Sequence, residues 1–126
     1  MKTLFFVMLF SSLTTTNDFS LASISRAMNT GDAEALGQYF DDSIELSVMD
    51  NEDIYSKAQA VQIVKNFFTQ HQPKSFSQLH HGSSPASDSQ YCIGNLVTAD
   101  NTYRVYIYMK MSGGSTVIQE IRFDQE

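Results

Sequence analysis

Basic side chains are scarce in this chain, with eight Lys and Arg against fourteen Asp and Glu in 126 residues, and there is a single cysteine, Cys92. Each shortage excludes something. A lone thiol forms no intramolecular disulfide, even in an oxidising compartment. A formal net charge of −6 repels a phosphate backbone, so nucleic acid is not an expected partner. There is no His-x-x-x-His pair and no second cysteine, and the adjacent His80 and His81 have no acidic ligand nearby, so no metal or other cofactor is assigned. "QYCIGNL" gives Cys92 neither a neighbouring base nor a cation. It therefore reads as a small core residue rather than a nucleophile. No internal repeat, low-complexity tract or interdomain linker interrupts the chain.

What remains is ordinary for one globular domain: 42% hydrophobic and 17% charged residues. The leading residues stand apart. Lys2 is followed by the apolar "LFFVMLF" and then the polar "SSLTTTN", the pattern of a secretory signal peptide over residues 1–16. Its apolar run is well short of the ~20 residues that a membrane helix needs, so no transmembrane segment is expected once it is removed. Export to the periplasm or cell envelope follows, with cleavage before Asn17. The plainer alternative is a buried N-terminal strand.

In the domain expected over residues 17–126, Leu21, Ile24 and Met28 fall at helical spacing. Gly31 suits the left-handed end of that helix, and Asp32 suits the cap of a second one carrying Leu36, Tyr39 and Phe40 on one face. From Ser43 the period changes to two, with Ile44, Leu46 and Val48 alternating as a strand until "DNED"; Ile54 and Tyr55 can pair back briefly. Ser56 and Gln59 stand at capping-box spacing before a third helix with Val61, Val64, Phe67 and Phe68 as its apolar stripe, ended by Pro73. Four strands follow, approximately Lys74–Gly82, Gln90–Thr98, Thr102–Met111 and Ser115–Asp124, the last three joined by short turns as an antiparallel meander. Alternation predicts that Val105, Ile107, Met109 and Met111 face the helices, with Val117, Ile121 and Phe123 on one neighbouring strand and Tyr91, Ile93 and Val97 on the other.

"NTGDAEALGQYFDDSIEL" resembles the Gly-Asp helix hairpin that leads into the first strand of nuclear transport factor 2-like domains. "HHGSS", "YCIGNLVT", "YRVYIYMK" and "IQEIRFDQE" are similar to the C-terminal meander of an uncharacterised family of small exported bacterial proteins with that fold. The resemblance covers about residues 17 to 126 and implies a cone-shaped α+β (cystatin-like) fold, three N-terminal helices packed on a curved antiparallel sheet. It implies no activity, because the family carries none and the superfamily holds enzymes, ligand-binding modules and dimerisation domains alike.

Two surfaces are candidates for function. A cone leaves a cavity at its open end, for which Tyr39, Phe40, Phe67, Phe76 and His80 are the expected lining, His80 by shared parity with Phe76 and Gln78. The opposite face of the meander carries Arg104, Tyr106, Tyr108 and Lys110, with Ile118, Glu120 and Arg122 on the adjoining strand. Pairs such as Arg104 with Glu120, and a tyrosine against Arg122, fit a plain solvent-facing sheet. Tyr and Arg are also enriched at the centres of interfaces. The favoured reading is an exported, non-enzymatic binding or assembly module that forms a homodimer or recruits a protein partner through this outer face. The alternative is an enzyme or small-ligand carrier using the cavity, with no catalytic residue assigned.

Overall fold

The computed structural model describes residues 20–126; the expected signal segment lies outside the described residues. Helix α1 (Leu21–Thr30) buries Ile24, Ala27 and Met28 and ends at Gly31, whose φ of 70° places it in the left-handed region. Helix α2 (Ala33–Gly37) begins where the Asp32 carboxylate accepts from the backbone N–H of Ala35 at 3.0 Å. The elbow is therefore set by a glycine that tolerates positive φ and an acid that satisfies a free helix donor. A Cβ at position 31 would also sit 2.9 Å from Cδ of Pro73. Gly31→Ala is expected to lower stability by about 1–2 kcal/mol, read as a fall in denaturation midpoint at unchanged slope.

Strand β1 (Phe40–Val48) turns through Met49 and Asp50 into β2 (Asn51–Ser56), and Ser56 and Gln59 form the capping box that starts α3 (Lys57–Gln70). The remaining strands are β3 (Pro73–Ser84), β4 (Ser89–Thr98), β5 (Thr102–Ser112) and β6 (Ser115–Gln125), with a 3₁₀ turn at Pro85–Ser87 between β3 and β4. The sheet order is β2-β1-β6-β5-β4-β3. All its pairs are antiparallel except β1 with β6, which is parallel, so the expectation of a purely antiparallel sheet is corrected. The backbone N–H of Ile118 donates to the carbonyl of Tyr39 at 2.6 Å and ties the last strand beside the first. Only α1 and α2 precede the sheet. The third helix is inserted between β2 and β3, in the order its sequence signals predict, which corrects the arrangement of three N-terminal helices that the resemblance implies.

The core fills the space between helices and sheet. Phe67 is its centre, with ring centroids 4.6 Å from Phe123, 5.1 Å from Tyr103 and 6.0 Å from Phe68. Ile107, Met109, Ile121 and Phe123 are fully buried on the sheet side and Ile24, Met28 and Val64 on the helix side.

Register decides which side chains reach that core, and on three strands it overturns an expected facing. On β4, Cys92, Gly94 and Leu96 face inward, opposite Ile107, Val105 and Tyr103 on β5. Tyr91, Ile93 and Val97 therefore face outward, the reverse of expectation. Both faces of this strand are apolar, so alternation carried no signal there, and pairing with β5 settled the side. On β6, a bulge at Gln119 flips the parity: Ile118 and Ile121 are both fully buried, whereas Val117 turns to the outer side. Ile118 is thus a core residue and not part of an interface. On β3, a bulge at Leu79 separates Gln78, opposite Gly94, from His80, opposite Ile93, so His80 leaves the face of Phe76 and turns outward. Phe76 itself lies over Gly94, where a Cβ would meet its ring at 2.5 Å.

Candidate functional site

Two continuous rows of paired positions cross the outer face. One runs Glu52, Ser47, Arg122, Tyr106, Ile93 and His80 from β2 to β3; the other runs Ile54, Glu45, Glu120, Tyr108, Tyr91 and Gly82. Tyr91 and Tyr106 stack across the two rows, with centroids 6.3 Å apart and planes 23° from parallel. Tyr106 and Tyr108 are each half-buried by such neighbours. Burial holds the Tyr106 phenol above its usual pKa, and the nearby Glu120 carboxylate pushes the same way.

Beside the tyrosines lies a charged knot. Nε of Arg122 donates to Glu120 at 2.6 Å and its Nη2 donates to Glu52 at 3.2 Å. Glu45 stands directly opposite Glu120 on the parallel pair. A hydrogen bond with Glu52 is the main reason that Glu45 holds its proton more tightly than a free carboxyl, followed by the charge of Glu120. Because the folded-state pKa of Glu45 is raised, this group makes folding more favourable as pH falls through the carboxyl range and less favourable above it. Glu45→Gln is expected to raise the melting temperature at pH 7 and to remove the stabilisation that protonating this group adds as pH falls into the carboxyl range, measured by thermal melts of both proteins from about pH 7 to about pH 4. Arg104 does not pair with Glu120. Its Nε donates to Glu126 at 3.0 Å, and Glu120 is taken by Arg122. Lys110 is exposed at the end of the β5 row.

The expected cavity residues do not converge. Phe40 is core, Phe67 is core and also borders a cleft beside β2, Phe76 covers Gly94, Tyr39 is half-buried beside α2, and His80 is exposed on the outer face. His81 points to the opposite side from His80 and is exposed. Burial pushes the Cys92 thiol up to about 11, so it stays protonated and unreactive at neutral pH. Among the described residues no cluster of three or more His, Cys, Asp or Glu has the spacing of a metal site, and no helix is long and apolar enough to cross a membrane. Sequence reasoning missed Ile54, Tyr91, Ile93 and Val97 as outer-face residues. The signal that finds them is pairing, since each lies opposite a residue already on that face.

Residues 21–124, nearly all of the described chain, match the family described as Domain of unknown function (DUF4783). The chain belongs to this family. Two crystal structures of family members are similar over most of their length. The one from Bacteroides ovatus is 26% identical with a TM-score of 0.79, covering 83% of this chain and 94% of the other. The one from Bacteroides uniformis is 27% identical with a TM-score of 0.79, covering 83% and 95%. A more distant NTF-2-like protein of unknown function from Silicibacter pomeroyi is 13% identical, covers 84% and 89%, has a TM-score of 0.62 and shares the fold alone. No curated protein matches the chain. The family is one without an established role, and its fold is the NTF2-like α+β arrangement of helices on a curved six-stranded sheet.

Proposed function

We propose that this protein is an exported, non-enzymatic assembly module in which the outer sheet face packs against the same face of a second copy. The observation that carries the reading is where the exposed apolar surface lies. Tyr91, 38% exposed, pairs with Tyr108 and stacks on Tyr106, and Ile54 (69%) and Val97 (39%) lie farther out on the same face. Scattered apolar side chains such as Ile54, which Glu45 and Glu120 separate from Tyr108, need no explanation, but the contiguous cluster of Tyr91, Ile93, Tyr106 and Tyr108 marks an interaction surface. A second copy suits the charge pattern. Glu45, Glu52 and Glu120 gather toward the β2 side of the tyrosines, while Arg104 and Lys110 lie on β5. Acidic and basic side chains thus occupy different parts of one face, as the self-complementarity of an isologous interface requires.

Export is supported by Lys2 and the "LFFVMLF" run that follows it. Sedimentation equilibrium of residues 17–126 over a wide concentration range tests the assembly. A mass rising toward that of two chains is expected; the mass of one chain at every concentration would remove self-association and leave this face to a different protein.

A further inference from the structure

The interior of the cone is packed, but its mouth is not. A cleft of about 640 Å³ lies between the β1–β2 hairpin and the last turns of α3, on the side of the sheet away from the tyrosines. Its walls follow from periodicity. Asn51, Asp53 and Tyr55 alternate onto the inner side of β2, opposite Val48, Leu46 and Ile44, while Ile63, Phe67 and Gln70 repeat along one face of α3. The floor is apolar and the rim is polar.

His71 closes the cleft at the end of α3, and its ring is held from three directions. Nδ1 lies 2.9 Å from Oδ2 of Asp100 and 3.0 Å from the hydroxyl of Tyr103, and the ring packs 5.0 Å from Phe67. A hydrogen bond from Thr98 and then the one with His71 hold the Asp100 carboxyl below the usual range, so it is an acceptor at neutral pH. The hydrogen between them therefore belongs to Nδ1. In the neutral ring Nε2 then carries the lone pair. His71 lines the cleft, whereas its partners Asp100 and Tyr103 do not.

The charged residues that border the cleft are acidic, Asp50, Glu52 and Asp53, with no Lys or Arg, and of these Glu52 turns its side chain to the outer face. Glu52 is already paired with Arg122, whereas Asp50 and Asp53 have no basic partner among the described residues. An anion is repelled here. A wholly apolar ligand makes no use of the two exposed carboxylates, although one oxygen of Asp53 already accepts from the backbone N–H of Ile54 at 2.8 Å. The lining is complementary to a positively charged donor group attached to an apolar body, and the size falls within the ~300–1,000 Å³ range of small-molecule sites. The ring of Tyr55 offers such a cation a further favourable surface.

We propose that the cleft between the β1–β2 hairpin and α3 binds a small organic ammonium compound, its charge against Asp53 and Asp50, its N–H donors reaching Nε2 of His71, and its apolar part on Leu46 and Ile63. The proposal is independent of the outer face, which lies on the other side of the sheet.

Titration of ¹⁵N-labelled residues 17–126 with 2-phenylethylammonium tests it, with phenylacetate and 2-phenylethanol as anionic and neutral counterparts of the same body. Saturable shifts at Asp53, Tyr55 and the His71 imidazole are expected with the ammonium compound alone. Asp53→Asn, at an exposed position, should weaken binding about five- to tenfold and leave the spectrum of the free protein otherwise unchanged. Asp42→Asn, an exposed acid outside the cleft, should leave affinity as it was. No saturable shift up to millimolar concentrations, equal response to phenylacetate, or an equal effect of Asp42→Asn would each overturn the proposal.

Discussion

Replacing Phe67 with Ala will lower the stability of this protein by about 3 kcal/mol, the lower end of the 3–5 expected for a buried Phe. Phe67 is 4% exposed and its ring contacts those of Phe68, His71, Tyr103 and Phe123. Truncation removes the transfer free energy of the ring and opens a space that its rigid neighbours cannot close. Two effects then compete. An enclosed void would add the full cavity penalty, but Phe67 borders the open cleft, so water can enter the new space and offset part of it. For a domain of this size the loss amounts to a fall of roughly 10 °C or more in melting temperature. Chemical denaturation reads the same change as a lower midpoint at constant slope. Phe76→Ala serves as the comparison. It is only half-buried and leans on Gly94, so its cost is expected to be smaller. A loss below about 1 kcal/mol for Phe67→Ala would mean that the aromatic cluster is not the centre of the core.

Changing Tyr106 and Tyr108 together to Ser will weaken self-association by about 2 kcal/mol or more, roughly thirtyfold in affinity, while the melting temperature barely moves. Stability is spared because Val105, Ile107 and Met109, which alternate with these tyrosines on β5, are the fully buried residues of that strand. The phenols themselves remain half-open to water, so most of the surface they could bury is still available to a partner. Tyr106 also stacks on Tyr91, and losing that pair costs about 1 kcal/mol of stability at most. Sedimentation at several concentrations, run beside a thermal melt, separates the two effects. An unchanged association constant would return the tyrosines to plain solvent-facing sheet, and a collapsed melt would place them in the core.

Several features of this fold were legible because their causes are local. The Gly31–Asp32 elbow, the Ser56–Gln59 capping box and the stop at Pro73 each depend on side chains within a few residues of the backbone groups they satisfy or block. The strand limits of the meander likewise came from its turns, and the inward set Val105, Ile107 and Met109 came from an alternation that was clean on that strand. The candidate surface was legible in outline for the same reason, since Arg104, Tyr106, Tyr108 and Lys110 alternate with that set.

Other features came from the pairing of strands, which no local pattern contains. A bulge adds one residue and reverses everything beyond it, so Leu79 sent His80 to the outer face and Gln119 sent Ile118 into the core. On β4 both faces are apolar, and only the contact of Cys92 with Ile107 decided that Tyr91, Ile93 and Val97 belong outside. The polar contacts span greater distances still: His71 meets Asp100 across 29 residues and Arg122 meets Glu52 across 70. By itself, then, the sequence determined the elements, their order and the inner face of β5, because those rest on hydrogen bonds and periodicities a few residues long. The tertiary structure alone decided which side chains share the outer face and which close the cleft, because register, bulges and a parallel β1–β6 pair bring together residues that have no local reason to meet.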